Sequence, residues 1–272
     1  MSDRSVAGDS FVAVLPTLDA PSSQLLETWR HHPVLIFRDL DLSPERLVRF
    51  SRTFGEPVPA PTQTILLACG ALPPDIMVVS NIAQDGRPIG HLGSGDLAWH
   101  TDMCYTRAPA IASALYAVEA PREGGDTWFM DMAAVYDRLP ERLRRHADRL
   151  QCKHDDSCTA AGDLRHGRVP VTDVTTSSGA IHPLVTVHPA SGRRALYLGR
   201  RLHAYLVGME VAESEALLDE YWGYCRDPAT IVRHRWRPGD LVLWDNRVTM
   251  HRRDLVPGGA RRLMWRTQMR PG

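Results

Sequence analysis

Short apolar runs, many alternating with polar positions and broken by Gly, Pro, Asn or Asp, recur along most of this chain. Alternation of period two, with β-branched and aromatic residues between turn signals, marks strands. On that pattern residues 11–15, 33–38, 77–81, 112–118 and 127–130 are strands. So are 182–188 and 194–198, which form a hairpin across Ser191-Gly192, and 231–236, 241–244, 248–251 and 261–268. Helical spacing is confined to four stretches. Pro21-Ser22-Ser23 caps a helix through about Arg30. Ser43 reads as an N-cap with Pro44 at the first helical position; Leu47, Val48 and Phe50 follow on one face, and Gly55 closes the helix. Residues 132–146 form a helix that restarts at Leu139-Pro140-Glu141, and 214–224 form the last one.

Three longer connections remain: a Pro-rich stretch at 56–75, a glycine-rich loop at 83–97 and a polar segment at 153–180. Connections of that length inside a domain are commonly functional. Residues 56–97 and 153–180 are therefore expected to cover a pocket, and 1–10 to be frayed. Many short strands with a few helices outside the run predict a sandwich or barrel decorated by helices. Its sharpest form is a jelly roll, which brings strands distant in sequence together.

Length and composition narrow this picture. At 272 residues, 43% hydrophobic and 24% charged, the chain suits one domain, residues 1–272, with a sizeable core. Lys plus Arg equals Asp plus Glu at 32 each, so no global field draws the chain to nucleic acid or to a membrane surface. The Arg residues of 142–149 read as a solvated helix face. No apolar run approaches the ~20 residues a membrane span needs. The first ten residues carry no apolar segment of the signal-peptide kind. Five cysteines at irregular spacing, without a Cys-x-x-Cys pair, predict reduced thiols and a cytoplasmic protein.

Candidate chemistry centres on Trp99-His100-Thr101-Asp102. In an extended strand His100 and Asp102 would share a face. His251 offers a third ligand far downstream. Two histidines and one carboxylate with open coordination positions suit non-heme Fe(II). The same donors also serve zinc hydrolases, although no His-Glu-x-x-His supplies the usual base. Arg262 and Arg266 fall four apart, on one face of the last strand, where guanidinium forks could hold a dianionic acid. Arg261 faces the other side and reads as a surface ion pair.

The stretches Trp99-His-Thr-Asp102, Gly124-Gly-Asp-Thr127, His182-Pro-Leu184, Gly239-Asp-Leu241, Trp244-Asp-Asn-Arg247, His251 and Arg261-Arg-Leu-Met-Trp-Arg266 stand in an order that resembles the TauD/TfdA family of Fe(II)/2-oxoglutarate-dependent dioxygenases. The resemblance spans roughly residues 30–270. It implies a mainly β fold with flanking helices, a double-stranded β-helix (jelly roll) of the clavaminate synthase-like kind. It implies Fe(II) at His100, Asp102 and His251, and 2-oxoglutarate on the iron with its distal carboxylate at Thr127 and Arg262. Arg266 is implied to face the acidic group of the substrate or to assist the cosubstrate. The implied reaction consumes O2, decarboxylates 2-oxoglutarate to succinate and oxidises a C–H bond of a small, anionic organic substrate. Halogenating relatives lose the ligand carboxylate, so Asp102 favours hydroxylation over chlorination. The competing readings are a non-catalytic metal-binding jelly roll and a desaturating or oxidatively cleaving relative. Family members often form dimers or tetramers.

Other residues have plainer readings. Trp99 and Trp244 belong to the core, Asn246 and Arg247 to a turn, and His182 and His188 to structure. Cys104 packs near the metal strand. Asn81, His91, Leu92, Asp96, Met103, Tyr105 and 200–205 are candidates for the pocket wall.

Overall fold

Alternate side chains of the central strands enter two different cores. Val34, Ile36, Val242, Trp244, Leu115 and Ala117 pack inward with Phe129 and Met264. Leu35, Phe37, Leu241, Leu243, Ala114 and Tyr116 pack outward with Leu25, Trp29, Leu47 and Phe50. A strand covered on both faces needs a continuous apolar run, and Val34–Phe37 and residues 241–244 supply it, buried throughout. Each such aliphatic or aromatic side chain contributes about 1.5–3 kcal/mol on leaving water.

The computed structural model describes residues 11–60 and 72–272. Its larger sheet runs Val12–Leu15, Val34–Phe37, Leu241–Asp245, Ala112–Glu119, Leu263–Arg270, Met77–Ser80 and His91–Leu92, with Glu56–Pro57 beside Leu263–Arg270. The smaller sheet runs Ile231–His234, Thr127–Asp131, Thr249–Arg253 and Leu97–His100. The two face each other as a jelly roll, as expected. Helices Ser22–His31 and Pro44–Ser51 cover the outer face of the larger sheet. Helices Met132–Arg138, Glu141–Ala147 and Val211–Tyr224 pack in a third core with Met130 and Met250 of the smaller sheet and with Val248 just before its Thr249–Arg253 strand. Pro140 separates the first two of these, as the sequence predicts.

Several local expectations change. The Pro44–Ser51 helix is capped by Ser43, whose Oγ accepts from the Arg46 N–H at 3.3 Å, but it ends well before Gly55. Gly55 is there for close approach: a Cβ would stand 2.3 Å from the Arg270 carbonyl oxygen. The 83–97 loop carries a two-residue hairpin and the His91–Leu92 strand, which pairs parallel with Met77–Ser80. Glu56–Pro57 is likewise a short strand within the expected irregular stretch. The polar connection begins later than expected, because Gln151–Asp155 is a strand whose Lys153, His154 and Asp155 are buried. Residues 1–10, expected to be frayed, lie outside the described residues, as do 61–71 with Cys69. The other four cysteines are buried free thiols. Among the described residues no helix is long and apolar enough to cross a membrane.

Candidate metal centre

Leu97–His100 and Thr249–Arg253 are antiparallel neighbours, and His100 lies directly opposite His251. Their rings converge inside the jelly roll with centroids 4.2 Å apart. Asp102 arrives differently from the expectation. The strand ends at His100, the Thr101 N–H donates to the Gly199 carbonyl at 2.9 Å, and Met103 takes a φ of +55°. A turn, not the pleat of an extended strand, swings the carboxylate back toward the rings. His100 Nε2 lies 3.9 Å from Asp102 Oδ1, and His251 Nε2 lies 4.0 Å from Asp102 Oδ2. One ligand atom from each residue fits within a mutual spread of 4.8 Å, and all three residues are buried.

The protonation states suit a cation. His100 Nδ1–H donates to the Ala98 carbonyl at 2.7 Å, which leaves Nε2 as the lone-pair nitrogen facing Asp102. Burial pushes the His251 imidazole down to about 3, and the neighbouring His100 and Arg266 add to this against the pull of Asp102. Burial also lowers His100. For Asp102 burial works against ionisation, but Arg266, the two imidazoles and a hydroxyl outweigh it and hold the carboxyl below its usual range. That hydroxyl is Ser113 Oγ, which donates to Asp102 Oδ2 at 2.7 Å. Two neutral imidazoles and one carboxylate, all aimed at one point, fit a divalent transition metal.

A relay supports the carboxylate from behind. Trp244 Nε1 donates to Asn246 Oδ1 at 2.9 Å, and Asn246 Nδ2 donates to Ser113 Oγ at 2.9 Å. Trp244 also packs on the His251 ring at 4.8 Å. Trp244 is thus core, and Asn246 is in a turn, yet both also reach the ligand set. Ser113 carried no signal in the sequence beyond its place in an apolar strand. Arg247 is a turn residue as expected: it pairs with Asp245 and His188 and stacks on Trp29. His182 Nε2 meets the Thr106 carbonyl, a structural contact.

Beside the centre lies a cavity of about 290 Å³. Both long connections contribute to its wall, through Val58, Pro59 and Leu92 on one side and Thr159, Ala160 and Arg165 on the other. Of the residues read as wall candidates, Leu92, Met103, Tyr105 and Arg200 line it, as does Cys104, whereas Asn81 instead clamps Arg262. Arg165 stacks 4.2 Å over Tyr105 and donates to the Cys158 carbonyl. Arg200 donates to the carbonyls of Cys158 and Thr159.

The two arginines grouped by the sequence part company. Arg266 reaches the cavity, its Nη1 3.4 Å from Asp102 Oδ1 and its Nη2 3.0 Å from the Met77 sulfur. Arg262 precedes the Leu263–Arg270 strand, whose register shifts at Leu263/Met264. It is buried, with Nε and Nη1 unpartnered. Burial, then the neighbouring Arg253 guanidinium, pushes Arg262 down to about 9. Gly125 leads into the Thr127–Asp131 strand at a φ of +65°, a left-handed conformation that favours glycine, and a Cβ there would crowd Val256 Cγ2 at 3.2 Å while meeting Arg262 Cδ only in ordinary contact. The turn ends at Thr127, which is buried and whose Oγ1 accepts from Trp236 Nε1 at 2.9 Å, freeing its own proton for an acceptor. Arg253 escaped the sequence reading, although it stands two residues beyond His251 and hence on the same strand face. Arg261 pairs with Glu119 on the surface, as expected.

Comparison with known proteins agrees with this architecture. The family model described as taurine catabolism dioxygenase TauD, TfdA family matches residues 4–268. The chain is 32% identical over 258 residues to the (S)-phenoxypropionate/alpha-ketoglutarate-dioxygenase of Sphingobium herbicidovorans, covering 92% of this chain and 86% of that protein. It is 34% identical over 251 residues to the alpha-ketoglutarate-dependent sulfate ester dioxygenase of Pseudomonas putida, covering 88% and 78%. A crystal structure of AAD-2 in complex with Mn(II) and N-oxalylglycine matches at a TM-score of 0.79 and 27% identity, over 100% of this chain and 98% of that one.

Proposed function

The chain belongs to the TauD, TfdA family and is an Fe(II)/2-oxoglutarate-dependent dioxygenase; from that premise we propose that residues 1–272 act as one domain that hydroxylates a small organic anion at a metal held by His100, Asp102 and His251. The observation that carries this reading is the convergence of one donor atom from each of those three residues within 4.8 Å. When bound, Fe(II) with 2-oxoglutarate and O2 supplies oxidation of a C–H bond, with 2-oxoglutarate lost as succinate and CO2.

The chain's own residues do the rest. His100 and His251 hold the metal through Nε2, and Asp102 contributes one negative charge that Ser113 keeps oriented. Thr127 and Arg262 receive the distal carboxylate of 2-oxoglutarate: a hydroxyl proton and two unpartnered guanidinium nitrogens await an anion there. Arg266 turns toward the anionic group of the substrate from the cavity wall. Leu92, Leu97 and the Arg165–Tyr105 stack keep water from the space beside the metal. The relatives' names, a phenoxypropionate and a sulfate ester dioxygenase, support a carboxylate or sulfate-bearing substrate here. Buried free thiols support a cytoplasmic setting.

The test is turnover. Purified enzyme with Fe(II), 2-oxoglutarate and air is offered a panel of phenoxyalkanoic acids and alkyl sulfate esters, and succinate is quantified together with the oxidised product, counted as the phenol or sulfate released where hydroxylation falls on the carbon that carries the ether or ester oxygen. At least one anion should give the two in near-equal amounts, and His251→Ala should give neither. Binding of Fe(II) and 2-oxoglutarate without O2 uptake on any anion would instead favour a non-catalytic module.

A further inference from the structure

Arg253 has a place in this molecule that the ligand set and the cosubstrate pair leave unexplained. It lies directly opposite Thr127 on the neighbouring strand, with the parity of His251, so its side chain enters the interior of the jelly roll. It is buried to 3% exposure. One nitrogen, Nη2, donates to the Leu92 carbonyl at 2.8 Å and to the Gly95 carbonyl. The other two, Nε and Nη1, have no protein partner. Arg262 beside it is in the same condition at Nε and Nη1. Among the described residues no carboxylate stands within ion-pairing distance of either guanidinium. The exposed Asp96 is the one carboxylate whose charge acts on Arg253, and it forms no ion pair with it; two buried cations sharing one interior space with no paired carboxylate is a costly arrangement unless an anion enters between them.

We propose that Arg253 is a second guanidinium contact for the distal carboxylate of 2-oxoglutarate, and that by holding Leu92 and Gly95 through the same group it links the filling of the cosubstrate site to the order of the substrate-cavity wall. Leu92 is part of that wall and takes a φ of +68°, a conformation that a non-glycine residue keeps only when held. The carboxylate draws the guanidinium to one geometry; the guanidinium then fixes two carbonyls of the 92–95 segment. Filling of the cosubstrate site would therefore order the wall against which the substrate packs.

This inference rests on the reading of Thr127 and Arg262 as the cosubstrate pair, and the experiment separates the two. Protein loaded with Zn(II), which supports no turnover, is titrated with 2-oxoglutarate and with 2-oxobutyrate, which lacks the distal carboxylate. Arg253→Gln should weaken 2-oxoglutarate by roughly 10- to 100-fold, the range of a lost charge-assisted hydrogen bond, and leave 2-oxobutyrate and Zn(II) affinity unchanged. If Arg262→Gln also leaves 2-oxoglutarate binding intact, the cosubstrate pair itself is misassigned. If Arg262→Gln weakens binding and Arg253→Gln does not, Arg253 is only a staple for the loop and the present inference fails. Hydrogen exchange of the unmodified Zn(II) protein needs no variant: 2-oxoglutarate should protect amides of residues 91–97, 2-oxobutyrate should not, and equal protection by both overturns the linkage.

Discussion

His100 and His251 are register partners on adjacent antiparallel strands, with ring centroids 4.2 Å apart. The β-ladder thus fixes the distance between the two nitrogen donors before any metal arrives. Loss of either ring removes a donor that no neighbouring side chain can replace, since among the described residues these three form the one such cluster. His251→Ala should lower Fe(II) or Zn(II) affinity on the order of 100-fold or more, beyond the effect of altering an outer partner. Anaerobic titration of the purified variant measures this. Wild-type affinity in a folded His251→Ala protein would rule out the centre.

The carboxylate depends on a chain of three donors. Ser113→Ala removes the hydroxyl that donates to Asp102 at 2.7 Å and leaves Asn246 Nδ2 without its acceptor, both in the buried interior. An unsatisfied buried amide costs about 1–3 kcal/mol. Metal affinity should fall by roughly 10-fold, the lower range for an outer-sphere partner. Chemical denaturation and metal titration of the same variant read the two effects separately; Asn246→Ala, which keeps the Ser113 hydroxyl, should lose stability with a smaller loss of affinity.

His154 gives the fold an acid sensitivity independent of the metal. Both of its ring nitrogens are buried without hydrogen-bond partners, and burial, reinforced by His182 and Arg200, pushes the imidazole from 6.5 down to about 3. Below pH 6.5 the unfolded chain takes up this proton and the folded chain does not, so stability falls as pH drops from about 6.5 toward 3. His154→Phe keeps a ring against Tyr197 and removes the proton. Its unfolding free energy in urea should decline less steeply across that window, by up to ~1.4 kcal/mol per pH unit. Parallel pH profiles for the two proteins would contradict the assignment.

What the sequence revealed and what it hid follow from how far each feature depends on long-range contact. Val34–Phe37 and residues 241–244 declare themselves because burial on both faces requires apolar residues at every position. His100, Asp102 and His251 are legible as chemistry, but the route of Asp102 is not: it turns out of the strand between the Thr101–Gly199 hydrogen bond and a positive φ at Met103, neither of which a local pattern records. Lys153, His154 and Asp155 read as loop because their composition is polar, although they lie in a buried strand. Arg262 and Arg266 share a strand face by count alone; a register shift between them sends one toward Arg253 and the other to Asp102. Ser113 and Arg253 matter through what faces them across the sheet, and a single sequence gives no such pairing.

Arg266 serves two partners, and substitutions can separate them. Its Nη1 stands 3.4 Å from Asp102 Oδ1, where its charge helps keep the ligand carboxyl ionised, and its side chain also lines the substrate cavity. Arg266→Lys retains the charge but loses the planar fork that matches a carboxylate or sulfate. It should therefore leave metal affinity within about 3-fold while raising KM for the anionic substrate roughly 10-fold or more, one lost charge-assisted hydrogen bond's worth. Arg266→Gln loses both. Without the guanidinium the Asp102 carboxyl titrates at a higher pH, so metal release on acidification should begin at higher pH than in the wild type. Metal binding followed across pH 4–8 for the three proteins should place Arg266→Lys with the wild type and Arg266→Gln apart. A KM unchanged in Arg266→Lys would remove this side chain from substrate recognition and leave it as the companion of Asp102 alone.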